Sequence, residues 1–309
     1  MWSIGGDNMR KNVEEFFLSM KEPNFLAMKL LLELFKKFEY DSCSKRIVDN
    51  LNILSPYEIR LVYSKGADNY MFVSPEIERV EFGITSSCSE TIMCHEVGHL
   101  VLDLYARGEV PEEFEEINLM CQKKLMKRSK LVRELLGAYR DDTYDNLIEG
   151  RDSVMDFYDN NPNEKELYFI EYPEKTEEDL KEELILEHNE LVSATNVNID
   201  NYNRVANIID AIFHGDNPFW LEYGNEDIDP ILAMHNDEYF EKGDFGPSVL
   251  GFEEQFADYL VLRTFPEEMA EANQVLRDLL GDEWFTMMDN YYDKVTSRIS
   301  EKGKVYQHK

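Results

Sequence analysis

Two histidines four residues apart, His95 and His99, bracket a glutamate in the stretch ETIMCHEVGHLVL. On an α-helix, positions i and i+4 stack on one face, so both imidazoles can present a ring nitrogen to a single point. Zinc takes such nitrogens at ~2.0–2.1 Å. Glu96 is turned about 100° around the helix axis, which sets its carboxylate beside that point rather than on it. From there it can accept a proton from water activated by the metal, the division of labour in a His-Glu-x-x-His site. The chain has only six histidines. In such a composition the pattern arises by chance about once in a hundred sequences.

Two ligands do not complete a catalytic zinc site, which usually holds three protein ligands and a water. A third histidine at the extended spacing would fall at position 105, which is Tyr105, and its accompanying glycine at 102, which is Leu102. The extended three-histidine pattern is therefore excluded. Cys94 precedes His95 but points about 100° away from it on a helix, and it reads as a small packing residue. A distant carboxylate is the remaining source. In EEQFADYL, Glu254 and Asp258 lie four apart on one helical face, and Ala257 is small enough to let a second helix approach. Glu254 would ligate zinc, and Asp258 would hold the other ring nitrogen of a ligand histidine. Glu253 takes the ligand role instead if the register is off by one.

These residues need a helix to carry each group and a frame to bring the two helices together. Ser87 and Glu90 have capping-box spacing. After them Met93, Val97, Leu100, Val101 and Leu104 form one apolar stripe, which leaves the histidines on the polar face. Before that helix, EIRLVYS, NYMFVS and ERVEFGIT read as three short strands of a small sheet. Residues 11 to 40 read as helical with a break near Pro23. Further helices are expected over PEEFEEINLMCQKKLM, over NYNRVANIIDAIFHG with a stop at Gly215, over GFEEQFADYLVLRTF, from Pro266 to Gly281, and over DEWFTMMDNYYDKVTSRI, followed by a frayed tail. Arg263 marks where the apolar side of its helix reaches solvent. The fold class is α+β, mainly helical. Five parts are expected: an N-terminal helical segment (1–50), the small sheet with the His-Glu-x-x-His helix (51–106), an acidic helical insertion (107–200), a C-terminal helical part with the third ligand (201–300), and a flexible tail (301–309).

The arrangement resembles the gluzincin metallopeptidases, whose third ligand is a glutamate on a later helix, and EEQFAD is similar to their Glu-x-x-Ala-Asp/Asn signature. The order IIDAIFHG, Met234-His235 with Tyr239-Phe240, then EEQFADY also resembles zincin-like domains of bacteriophage and mobile-element proteins. The resemblance covers roughly residues 80 to 105 and 205 to 265. It implies a zinc-dependent endopeptidase with Glu96 as general base and peptide or protein as substrate. It also implies His235 as a donor to the oxyanion formed when a carbonyl is attacked. The gap between His99 and Glu254 is long for compact members and implies an inserted helical segment that walls the cleft.

Lys and Arg number 32 against 63 Asp and Glu, a net charge of −31. Such a surface repels nucleic-acid backbones and anionic membranes and attracts cationic peptides or divalent metals. No apolar run approaches the ~20 residues that span a bilayer, and the N-terminus lacks a secretory pattern, so a cytoplasmic protein (host cytoplasm or virion for a phage product) is expected. Its four cysteines are expected to be free thiols. One competing reading uses the charge instead: an acidic decoy that binds a nucleic-acid-binding partner, its zinc site structural or vestigial. Another is a phage structural protein that carries such a domain, which the sequence does not separate from a free enzyme. Glu96 speaks against the decoy, because a purely structural zinc site has no use for a base beside its ligands.

Overall fold

The computed structural model describes Val13, Phe16 and residues 24–51, 57–64, 69–74, 78–85, 88–127, 175–176, 200–213 and 247–306. Among them the chain is α+β and mainly helical, with one sheet of three strands. The strands are β1 (Glu58–Tyr63), β2 (Tyr70–Ser74) and β3 (Arg79–Ile84), in the order β1-β3-β2. The central β3 runs parallel to β1 and antiparallel to β2, with Leu61 opposite Phe82 and Val73 opposite Val80. Alternation buries Ile59, Leu61, Val73, Val80, Phe82 and Ile84 on the core face, while Tyr70 and Phe72 face outward on β2. Gly83 is required here: a Cβ on it would lie 2.0 Å from the Tyr70 ring. β2 is an edge strand, so one side of its backbone is not used by the sheet.

α1 (Phe25–Phe38) begins just after Pro23, capped by the Asn24 side chain on the Leu26 and Ala27 amides. α2 (Ser42–Asp49) is capped by Asp41 on the Ser44 amide. α3 (Glu90–Tyr105) carries the histidine pair. Its cap is Ser89, whose hydroxyl accepts from the Ile92 amide at 3.2 Å. Ser87, the expected cap, lies outside the described residues, and Glu90 sits in the first turn, where its charge meets the helix dipole. The remaining helices are α4 (Phe114–Lys127), α5 (residues 200–213), α6 (Pro247–Thr264), α7 (Ala270–Leu280) and α8 (Asp282–Tyr306). None of the described helices is long and apolar enough to cross a membrane.

Two helix limits differ from the sequence expectation. Pro266 lies in a turn ahead of α7 rather than at its first position, because the backbone bonds Met269 N to Phe265 O and Ala270 N to Glu267 O before the regular helix starts. α8 continues through Tyr306 where a frayed tail was expected. Most of the acidic insertion, together with His188, His214, His235 and His308, lies outside the described residues.

The core sits where α3 and α6 pack together, with α1 and β2 against α3. Gly98 of α3 meets Ala257 of α6 so closely that a Cβ on Gly98 would lie 2.7 Å from the Ala257 Cα. The other faces of α6 are fixed by Phe252 and Phe256, edge-on to Tyr291 of α8, and by a buried polar chain. In that chain the Trp284 indole donates to Gln255, and Gln255 donates to Asn118 of α4. Asn118 and Gln122 both donate to the Ile212 carbonyl near the end of α5. Arg263 does not simply mark an exit to solvent, since it pairs with Asp41 at the start of α2 and with Asp289 of α8. The four cysteines are free thiols, and Cys94 is fully buried in the core, away from any ligand role.

Candidate metal centre

The close approach at Gly98 brings one turn of α3 against one turn of α6. His95 Nε2 lies 3.3 Å from Glu254 Oε2, His99 Nε2 lies 3.4 Å from Glu254 Oε1, and the two Nε2 atoms are 3.1 Å apart. One ligand atom from each of these residues falls within 4.8 Å of the others, a group that could hold a metal ion. It is Glu254, not its neighbour Glu253, that turns to the imidazoles. Burial, together with Asp103 and Glu254, pushes the Glu253 carboxyl up to about 7. Glu254 is 1 % exposed, so this acidic face of α6 is a wall of the site rather than solvated surface.

Asp258 is wholly buried and its Oδ1 lies 2.7 Å from His95 Nδ1. A carboxylate only accepts, so Nδ1 carries a hydrogen and Nε2 is the His95 atom turned toward His99 and Glu254. Burial alone would lower the His95 pKa, but Asp258 and Glu254 outweigh it and raise the imidazole to about 10. His99 moves the other way, lowered by burial and by the charge on His95 against the pull of Glu254. Burial would raise Asp258, yet Arg204 and His95 hold it below the usual carboxylate range. The surroundings therefore favour one positive charge among these nitrogens and oxygens, carried by a proton or by a metal ion.

Glu96 follows His95 and is 7 % exposed. Burial is the main cause that pushes its carboxyl up to about 7, with Glu254 adding to it and His95, Arg204 and the Met71 amide of β2 acting against it. That amide belongs to β2, which among the described residues is an edge strand, so Glu96 lies beside the edge of the sheet. The free edge and the proton-accepting group thus stand side by side. His95 and His99 retain 12 % and 18 % of their side-chain surface, so the pair is mostly enclosed.

Two residues of α5 were not singled out by sequence. Arg204 donates to Asp258 Oδ1, and Asn207 Nδ2 donates to Asp258 Oδ2 at 2.6 Å and lies 3.4 Å from Glu254 Oε2. Sequence carried no local signal for them: the same helix also holds Asp200, Asn201, Asn203 and Asp210, so one arginine and one amide three residues apart do not stand out. His235 lies outside the described residues. No family model, curated protein or solved structure matches the chain.

Proposed function

We propose that the chain is a zinc-dependent metallopeptidase of the gluzincin kind that hydrolyses peptide bonds in extended substrates. The convergence of His95 Nε2, His99 Nε2 and the Glu254 carboxylate carries this reading. Four ligands at ~2.0–2.1 Å in a tetrahedron are separated by about 3.3–3.4 Å. The three separations here, 3.1, 3.3 and 3.4 Å, match that edge length. The donor set of two imidazoles and one carboxylate suits zinc and leaves the fourth position for water.

A zinc ion held by His95, His99 and Glu254 would supply Lewis acidity, lowering the pKa of bound water from about 15.7 to about 7 and polarising a carbonyl. Glu96 accepts the proton released at that point and returns it to the leaving amine. In the metal-free protein burial raises the proton affinity of its carboxyl, the direction a general base near neutrality needs. Asp258 keeps His95 in the Nδ1–H form, so that Nε2 stays a ligand. The free edge of β2 accepts the substrate backbone as an added strand beside Glu96. His235 is the proposed oxyanion donor, by resemblance. The net charge of −31 favours basic peptides over acidic ones.

The test is the Glu96→Gln variant assayed on a mixed peptide library, with zinc measured in the same preparations. Full zinc content with hydrolysis lost supports the reading. If wild type loaded with zinc cleaves nothing, and the biological effect survives Glu96→Gln, the acidic interaction protein becomes the better reading.

A further inference from the structure

We infer that Arg204 and Asn207, three residues apart on α5, are positioning residues that lock Asp258 and, through it, the metal-facing nitrogen of His95. The inference rests on the reading of His95, His99 and Glu254 as a metal site. Arg204 is the one Lys or Arg side chain buried among the described residues. A buried cation needs a partner, and this one has Asp258. Asp258 then receives three donors: His95 Nδ1, Arg204 Nη1 and Asn207 Nδ2. A carboxylate so held has no freedom to rotate away from the imidazole or to take its proton.

The amide of Asn207 also lies 3.4 Å from Glu254 Oε2, so the same residue reaches both the third ligand and the residue that orients the first. Its Oδ1 is buried without a hydrogen-bond partner among the described residues, which shows that the site uses the donor half of the amide. An aspartate here would set a further carboxylate against two others. Arg204 Nη1 also lies 3.2 Å from His95 Nδ1, alongside the hydrogen bond rather than in it. The guanidinium balances the charge of Asp258, so orientation of His95 adds no net negative charge to the centre.

α5 can serve as a clamp because both its ends are anchored. The Thr91 hydroxyl of α3 donates to Asp200, and Asn201 bonds both the Glu268 carbonyl and the Ala272 amide. At the far end the Ile212 carbonyl receives Asn118 and Gln122. Arg204 and Asn207 lie between these anchors, so their reach toward Asp258 is set by the helix rather than by a loop.

The experiment measures zinc affinity by chelator competition, and the visible absorption of the cobalt(II)-loaded protein, for wild type, Arg204→Gln, Arg204→Lys and Asn207→Leu. Circular dichroism reports folding. Zinc affinity is expected to fall about 10-fold or more in Arg204→Gln and Asn207→Leu, with an altered cobalt spectrum and partial recovery in Arg204→Lys. Should Arg204→Gln fail to fold, Arg204→Lys and Asn207→Leu decide the matter by the same two readouts. Folded variants with wild-type affinity and an unchanged cobalt spectrum overturn the positioning role. So does tighter binding in Arg204→Gln, which would mean that the guanidinium acts on the metal only as a like charge. A wild-type chain that takes up neither metal overturns the underlying site instead.

Discussion

Gly98 and Ala257 touch backbone to backbone, and that contact sets the distance between the two histidines and the glutamate. A Cβ at Gly98 would lie 2.7 Å from the Ala257 Cα and 3.1 Å from its Cβ. The obstacle is main chain, so a Gly98→Ala variant must push α6 away from α3. Alanine adds about 1 kcal/mol of helix propensity, but forced overpacking in a core costs about 1–3 kcal/mol. The expected result is a net loss of up to about 2 kcal/mol in urea denaturation, together with weaker zinc binding as Glu254 recedes. Stability above wild type would mean that the helices do not meet as described.

The identity of the third ligand has a direct check. Glu254 faces both imidazoles, whereas Glu253 neighbours Asp103. Protein purified without chelator should hold about one zinc per chain, the number a single tetrahedral centre takes. Elemental analysis of His99→Ala and Glu254→Ala should show that zinc lost, and Glu253→Ala should keep it. Free zinc at 100 times its dissociation constant should stabilise wild type by about 2.7 kcal/mol and Glu254→Ala not at all. The opposite ranking of the two glutamate variants would move the ligand to Glu253.

What could be read ahead of the structure follows the physics of periodicity. The strand pattern around Leu61, Phe72 and Phe82 and the stripe from Met93 to Val101 are local signals, and each became an element where expected. Gly98 is costly in mid-helix, which fits a close neighbour such as a strand or substrate; the neighbour is instead Ala257 of a second helix. The cap falls on Ser89 rather than Ser87 because the helix starts at Glu90, where the Ser89 hydroxyl reaches the Ile92 amide without a glutamate at capping-box spacing. Arg204 and Asn207 were illegible because their partners lie 54 and 51 residues away in sequence. Nothing local distinguishes a paired buried arginine from an exposed one. Likewise the face of α6 with Glu254 and Asp258 had the composition of a solvated surface, and only the packing of α3 against it made it an interior wall.

Glu96 should trade stability for chemistry, and pH exposes the trade. Its folded carboxyl lies at about 7, above the value of 4.5 for an unperturbed glutamate. The folded state therefore binds the proton more tightly, and the metal-free protein loses stability as pH rises from 4.5 to 7. A neutral glutamine avoids that loss while still accepting the Met71 amide. Metal-free Glu96→Gln should match wild type below about pH 4.5. Its advantage should grow as pH rises and level off above about pH 7, at about 3 kcal/mol by linkage. Denaturant titrations across this range in the presence of chelator measure the difference, and a difference independent of pH would show that Glu96 is not held in a desolvating environment.

Asp41 predicts the opposite slope at the acid end. It caps α2 through the Ser44 amide at 2.8 Å and receives Arg263 Nη2 of α6 at 2.8 Å, which ties the N-terminal helices to the site helix. Burial works to raise its pKa, but Arg263 and Ser44 outweigh that and bring it down to about 2. A depressed carboxylate stabilises the fold above its unfolded pKa of about 3.9 and loses that contribution as pH falls through its folded value. Because the pair is partly open to water, about 1 kcal/mol is the expected ionic share, with about another 1 kcal/mol from the cap. Asp41→Ala should therefore be less stable than wild type by about 2 kcal/mol at pH 7, narrowing as pH drops from 4 toward 2. Chemical denaturation at a series of acid pH values gives the comparison. A gap that stays constant through that window would assign Asp41 to capping alone and leave its pair with Arg263 without an ionic part in holding α6.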